Sequence, residues 1–371
     1  MSNSVSTEQV SAVLRQTPSD FIVDELPAYE ACGEGDHLFV TFRKTSLTTL
    51  QVVRDLADRL RIDPREVGFA GMKDRHAITT QVASFPFAKG REPAEAAAIV
   101  LEGVEILEAK RHKNKLRTGH LRGNRFTITL RELTANAVAV VEERLGRIQQ
   151  EGVPNAFGSQ RFGRDGDNPE RALAWLQGKE RGPRDKRERK LLFSSLQSRA
   201  FNEVLARRER DGTWASILLG DLAQKHDSGG VFTVGEAEFE DARSRCEEGL
   251  LSPTGPMFGS KMRWPEAEVA VIEREALANM IDDPERLEQF SNYGEGARRA
   301  LRLWVNELSW RREGDNALVV SFVLTKGGYA TTVLSRACEL HDAMARPRRD
   351  EFPGDAQAGS EVQNETEPAA D

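Results

Sequence analysis

The run GFAGMKDRHAITTQ, residues 68–81, sets one carboxylate, Asp74, between Lys73 and Arg75, with His76 next. Gly68 and Gly71 precede it, and a polar, strand-like stretch follows. A core segment does not carry four polar side chains in a row, and an ordinary surface loop does not need two glycines so close together. An aspartate is ionised at neutral pH, with a reference pKa of about 3.9, and neighbouring cations favour that form. The pattern fits a carboxylate held charged and aimed at a substrate. A turn cap between two cations is the structural alternative.

Other chemistries leave no trace in the chain. There is no G-x-x-x-x-G-K-[ST], and no G-x-G-x-x-G follows an expected strand. H-E-x-x-H, G-x-S-x-G and kinase signatures are missing as well. The six histidines lack ligand spacing, and Cys32, Cys246 and Cys338 lie far apart, so neither a zinc site nor a redox motif is expected. What remains is a reaction carried by a carboxylate without metal or organic cofactor.

The elements that must position Asp74 can be read from periodicity. HLFVTFRK, residues 37–44, reads as a strand. A helix is expected over residues 49–62, with Leu50, Val53, Leu56 and Leu60 as its apolar stripe and Thr48 with Gln51 as a capping box. Asp63-Pro64 opens a new turn, which leaves Asp74 on a loop. NRFTITLRE, residues 124–132, alternates as a strand with Phe126, Ile128 and Leu130 on one face. A helix over residues 135–150 follows, with Val138, Val141, Leu145 and Ile148 inward and Gly152 and Pro154 as its stop. From there to about residue 293 the chain reads as mainly helical and charged, and Phe193, Leu196, Ala200 and Val204 mark one amphipathic helix. ALVVSFVL, residues 317–324, is a strand, and TKGGYATTVLSRACEL turns through Gly327-Gly328 into a helix.

Strands early and late, with a helical block between, indicate an α+β fold with an insertion. The 371 residues suffice for two domains. The expected division is a catalytic domain of residues 1–152 and 300–345, with a mixed, mainly antiparallel sheet. A mainly helical insertion of residues 153–299 should face it across a cleft. A polar N-terminus without an apolar h-region, and no run of about 18 apolar residues, point to a cytoplasmic protein with no membrane association.

The net charge of −7 hides a division. Residues 350–371 hold seven acids and no base, and the rest of the chain has 52 acidic against 52 basic residues. The segment 346–371 reads as a disordered acidic tail. Cations cluster in residues 110–125, with seven Lys or Arg and no acid, and in residues 181–190, with six against two acids. Such runs suit a polyanion, although a solvated surface run is the plainer reading.

The residues around Asp74 resemble the signature of the TruD family of tRNA pseudouridine synthases, in which an Asp follows an A-G-x-K. PSDFIVDELP, residues 18–27, is similar to the family's P-x-D-F-x-V-x-E start. GEGDHLFVTFRKTSLTT, residues 33–49, resembles its G-x-H-x-x-V strand and K-x-x-x-x-T. RHKNKLRTGHLRGNRFTITLR, residues 111–131, resembles its R-H-x-x-K-L-x-x-G-x-L-x-G-N-x-F run. VPNAFGSQRFG, residues 153–163, is similar to its P-N-Y-F-G-x-Q-R-F-G motif, and GGYATTVLSR, residues 327–336, to its G-x-[FY]-A-T run. Two departures are Ala156, where an aromatic is common, and Arg15, where a Lys is usual.

The resemblance implies isomerisation of uridine, at position 13 of the tRNA D-arm, to pseudouridine, without cofactor and by a monomer. It makes Asp74 the nucleophile, with Arg15 and Lys73 as charge partners. Attack on the sugar C1′, attack on the base and a glycal route all remain open. A stacked target must be flipped out, at a cost of a few kcal/mol. By resemblance Phe126 and Tyr329 would offer the base an aromatic face and Asn124 a polar contact, while core packing of Phe126 and a turn role for Asn124 stand beside those roles. Lys110, Arg111, Lys113, Lys115, Arg117 and Arg122 are the expected contacts to the RNA backbone, and the basic runs are expected to line the cleft. A noncatalytic RNA-binding or RNA-chaperone protein of the same fold is the alternative function. A glycosidase would need a second acid that the sequence does not supply.

Overall fold

A computed structural model describes residues 8–163, 165–278, 280 and 293–344. The segment expected to form an acidic tail lies outside the described residues. The first half of the chain runs β1 (Ser11–Leu14), β2 (Phe21–Pro27), β3 (His37–Thr45), α1 (Thr49–Leu60), β4 (Gly68–Phe69), β5 (Ile78–Pro86), α2 (Ala94–Ala97), β6 (Val104–His112), β7 (Leu121–Leu130) and α3 (Ala135–Glu151). Next come β8 (Val153–Pro154), α4 (Asn168–Leu176), α5 (Lys186–Arg210), β9 (Leu222–Lys225), β10 (Val231–Thr233), α6 (Phe239–Glu247), β11 (Leu251–Met257) and α7 (Ala267–Ala278). The chain then returns through β12 (Ala297–Ala300), β13 (Arg302–Leu303), β14 (Asn306–Arg312), β15 (Leu318–Thr325), α8 (Ala330–Leu334) and β16 (Glu339–Asp342).

An eight-stranded sheet carries the order β14-β15-β7-β2-β5-β3-β6, with β4 added on β5. Only β2 and β5 run parallel; every other pair in it is antiparallel. The α+β class with a mainly antiparallel mixed sheet is therefore as expected. In a sheet, directly paired residues share a face, and so do residues two apart along a strand. Val23 pairs with Phe126 and with Thr79, and Thr79 pairs with Lys44, so all four lie on one face.

Two apolar cores cover that face. Over β3 and β5, α1 packs Val52, Val53, Leu56, Ala57 and Leu60 on Leu38, Val40, Phe42, Ala83 and Phe85. Over β2, β7 and β15, α3 and α8 pack Val141, Leu145, Val333 and Leu334 on Val23, Ile128, Val320 and Phe322. Between the cores the same face is polar, with Glu25, Lys44, Thr79 and Gln81 all buried. This polar strip is where the sheet can host chemistry.

The capping box of α1 forms as expected, since the Thr48 side chain accepts from Gln51 N and Gln51 Oε1 accepts from Thr48 N. Its apolar stripe differs from expectation: Leu50 is 43% exposed, and Val52 is fully buried instead. At the first turn the buried face is carried by Thr49, which donates to Gln81 of β5, so Leu50 points away from the sheet.

The middle of the chain is less purely helical than expected. It holds the 25-residue α5 but also an antiparallel sheet of order β10-β9-β11-β12. Its longest strand, β11, reads LSPTGPM; two prolines and a glycine hide a strand from any propensity argument. The buried pairs Arg208–Asp221 and Arg298–Glu273 brace this region. The β8–β13 pairing brings Val153 opposite Leu303, so the two ends of the middle segment enter and leave the main sheet side by side. The turn after Gly327-Gly328 gives a short helix, α8, and then an unexpected strand, β16, parallel to β1.

Candidate active site

Residues 70–77 form the loop between β4 and β5, and Asp74 is at its tip. Gly68, just before it, has a structural reason: a Cβ there would come 2.1 Å from the Leu116 carbonyl oxygen. No neighbour lies within reach of a Cβ on Gly71. The loop is held from below by side chains of three separate segments. Lys44 Nζ donates to the Asp74 carbonyl oxygen at 2.7 Å. The Lys73 N–H donates to Thr49 Oγ1 at 2.9 Å, and Thr49 Oγ1 donates onward to Gln81 Oε1 at 2.9 Å. Lys73 Nζ pairs with Glu25 Oε2 at 2.5 Å.

The Asp74 carboxylate itself is left open, with its side chain 59% exposed. Among the described residues its one ion contact is Arg15 Nη1, at 3.9 Å from Oδ2. Arg15 reaches it from a left-handed backbone position, φ 58°, just after β1. That guanidinium is held mainly by Asp342, through Nε to Oδ1 at 3.1 Å and through Nη2 to Oδ2, and it lies 4.9 Å from the centre of the Phe21 ring. Arg15 is thus a peripheral charge partner of Asp74. Lys73, expected in that role, gives its ammonium to Glu25. Lys44, Glu25, Thr49 and Asp342 were missed as site residues. Lys44, Glu25 and Thr49 stand inside the sequence runs quoted above, but only the fold shows that they converge on one loop.

Asn124 pairs with Glu25 across β7 and β2, and its Oδ1 is buried without a hydrogen-bond partner among the described residues. Thr79 Oγ1 and Gln81 Nε2 of the strip are likewise without a partner among the described residues. Phe126 is only 7% exposed, stacked on Phe322 at 5.5 Å and edge-on to Phe21 at 6.4 Å. Most of that ring is core. Tyr329 stands at the N-cap of α8, half-buried against the cluster of Phe157, Phe201, Leu205 and Leu301. Arg299 belongs to the same cluster, 4.1 Å from the centre of the Phe157 ring and bonded to Asn155. Burial pulls its guanidinium down to about 10, against the opposing effect of Tyr329. A cavity of about 960 Å³ is lined by Arg15, Gly158, Thr331, Thr332 and Asp342, linking the charge partner of Asp74 to the start of α8.

The expected RNA-backbone residues divide into two groups. Lys110, Lys113, Arg117 and Arg122 are exposed, and of these Lys113 and Arg122 also have partners within the protein. Arg111 is a brace, donating to the carbonyls of Gly35, Phe87, Ala88 and Arg91 and lying over the Phe87 ring. Lys113 pairs with Glu34 at 2.6 Å, Arg122 donates to the Pro27 carbonyl at 3.0 Å, and Lys115 packs near Gly68. The Gly119 N–H donates to the Ala70 carbonyl at 2.8 Å, which ties this basic connection between β6 and β7 to the root of the Asp74 loop.

A second concavity, a groove of about 950 Å³, is lined by Arg161, Lys225, Arg298, Arg299, Arg302 and Lys326, among others. Neither sequence run of cations lines it, contrary to expectation. Three of its charges, Arg298, Arg299 and Arg302, come from one short stretch, and Arg161, Lys225 and Lys326 come singly from distant segments.

The family model described as tRNA pseudouridine synthase D (TruD) matches residues 3–170 and 185–337. A tRNA pseudouridine synthase D from Anaeromyxobacter sp. (strain Fw109-5) is 40% identical over 347 residues, covering 91% of this chain and 95% of the relative. One from Thermus thermophilus is 39% identical over 353 residues, with 94% of each chain covered. A crystal structure from Methanosarcina mazei, described as a TruD protein, superposes with a TM-score of 0.73 at 23% identity, covering 90% of this chain and 94% of that one, so the two share a fold. The family model matches most of the chain, relatives of 39–40% identity are covered almost end to end, and the chain belongs to the tRNA pseudouridine synthase D (TruD) family.

Proposed function

We propose that this chain converts uridine to pseudouridine in tRNA, at position 13 of the D-arm, with Asp74 as the nucleophile. The family and its relatives make it a tRNA pseudouridine synthase, an isomerase. The observation that carries the finer reading is the construction of the Asp74 loop. Its main chain is pinned by Lys44 and Thr49, its neighbour Lys73 is locked to Glu25, and the carboxylate is left facing outward. An enzyme that holds a nucleophile in near-attack geometry needs that combination of fixed backbone and free head group.

The reaction breaks the bond from uracil N1 to C1′ and forms one from C5 to C1′. C5 loses a proton and N1 gains one, so no atom enters or leaves. Asp74 and the chain's polar side chains suffice for such a balance without a redox partner. In this proposal the Asn124 amide meets a polar edge of the uracil, and Tyr329 bounds its plane. The catalytic unit is residues 1–152 with 300–345, and residues 153–299 form an insertion whose basic groove takes tRNA phosphates; the side-by-side β8 and β13 support this division. Cations arrayed along a groove favour a polyanion.

Asp74→Asn keeps the size of the side chain and removes the nucleophile. Pseudouridine formation, measured by derivatisation and primer extension on cellular tRNA, should be abolished, while filter binding shows affinity within about threefold of the parent. Normal turnover by this variant would reject Asp74 as nucleophile.

A further inference from the structure

We propose that Lys44 is a positioning residue for Asp74: its Nζ clamps the Asp74 main chain from beneath and keeps a positive charge behind the carboxylate throughout the reaction. The proposal rests on Asp74 being the nucleophile. Lysine is almost never fully buried unless it is paired. Here Lys44 is 0% exposed and forms no ion pair among the described residues. Its contact is the 2.7 Å hydrogen bond to the Asp74 carbonyl oxygen.

The strand sets its position. Lys44 is the penultimate residue of β3, on the face that α1 covers, and it pairs with Thr79. Five residues later α1 begins with Thr49, which fixes the neighbouring Lys73 N–H. One chain segment thus grips two successive residues of the loop, 73 and 74, from below. A charged head group delivered to a dry, polar strip beside a nucleophile is a costly arrangement for a fold.

The charges facing Lys44 can be named. Asp74 lies above it and Lys73 beside it, the latter paired with Glu25 of β2. Arg15 approaches the far side of the Asp74 carboxylate, and α1 presents only the uncharged Thr49. Burial pulls the ammonium down to about 8; the Asp74 carboxylate works against that fall and Lys73 adds to it. The folded value lies below the ordinary 10.5, so burial of the charged form opposes folding at neutral pH. The charge is present below about pH 8 and lost above it, and fold stability rises with pH as the proton leaves.

Three measurements on the full-length chain test this. Lys44→Met should slow single-turnover pseudouridine formation by about 100-fold, the loss expected of a misplaced reacting group, with tRNA affinity within about threefold. Its Tm at pH 7 should equal or exceed the parent's. An unchanged rate, or a rate loss accompanied by a Tm drop of many degrees, would overturn the proposal. Should the variant fail to fold, the wild-type profile decides: the single-turnover rate should descend on the alkaline side near pH 8, and a rate flat to about pH 9 would overturn it. Asp74→Asn measured in parallel separates the two claims, since an inactive Asn variant beside a fully active Met variant rejects only the role of Lys44.

Discussion

Glu25 and Lys73 form a 2.5 Å ion pair with side chains only 2% and 7% exposed, at the base of the loop that carries Asp74. Removing one partner leaves an uncompensated buried charge. Glu25→Gln should therefore destabilise the fold by about 3 kcal/mol in urea denaturation and depress pseudouridine formation as well. Replacing both, Glu25→Leu with Lys73→Met, should restore most of the stability but not the activity. Recovery of both properties together would mean that the pair only packs the sheet.

Asp74→Glu keeps the charge and moves it by about one bond length. Because Lys44 and Thr49 fix the backbone of the loop, the longer side chain cannot be accommodated by a shift of the main chain. The single-turnover rate should fall about 100-fold, with tRNA affinity unchanged. A rate within a few-fold of the parent would show that the loop is looser than its hydrogen bonds indicate.

The arginines and lysines of residues 110–122 should separate by function. Arg111→Ala removes donors to four backbone carbonyls and should lower Tm by several degrees. Lys110→Ala with Arg117→Ala should leave Tm unchanged. It should reduce the slope of log affinity against log salt by about 2, because each phosphate contact releases about one counterion. An unaltered slope would place the RNA away from the connection between β6 and β7.

Asp20 supplies a pH-dependent term of folding. Burial pushes its pKa up, but the Arg131 guanidinium and the Thr17 N–H reverse that and leave it below the ordinary value. Stability from this carboxylate is therefore present above the unfolded pKa of about 3.9 and lost as pH falls through the folded one. Asp20→Asn should cost about 1–3 kcal/mol at pH 7, and the difference from the parent should shrink below about pH 4. Equal differences at pH 7 and pH 3 in urea melts would show that geometry, not charge, holds the turn.

β3, β7, β15, α1, α3 and the loop position of Asp74 were legible because each rests on local information: a period of two or of 3.6, a cap, a charged run after two glycines; β2, β6 and β14 of the same sheet were not read as strands. The strand at Phe126 and the caps at Thr48 and Gly152 needed nothing beyond neighbours in sequence. Arg15 was expected beside Asp74 and lies 3.9 Å from it, but the place of Lys73 was not legible, because adjacency in sequence ties Lys73 to Asp74 while its true partner, Glu25, stands 48 residues upstream. Arg111 looked like a phosphate contact because a run of cations carries no sign of which ones the fold will consume. The β9–β12 sheet was hidden by short strands and by prolines in β11.

The parallel pairing of β1 with β16 has a consequence for synthesis. Arg15 is among the early residues to leave the ribosome, and Asp342, which orients it toward Asp74, is among the late ones. β15 must likewise slot beside β7 only after the whole middle segment has emerged. A prematurely released chain that ends before residue 339 would lack β16, and so would carry Asp74 without the partner that orients Arg15. The charge beside Asp74 is thereby set by a contact between the first and the last strands of the described chain.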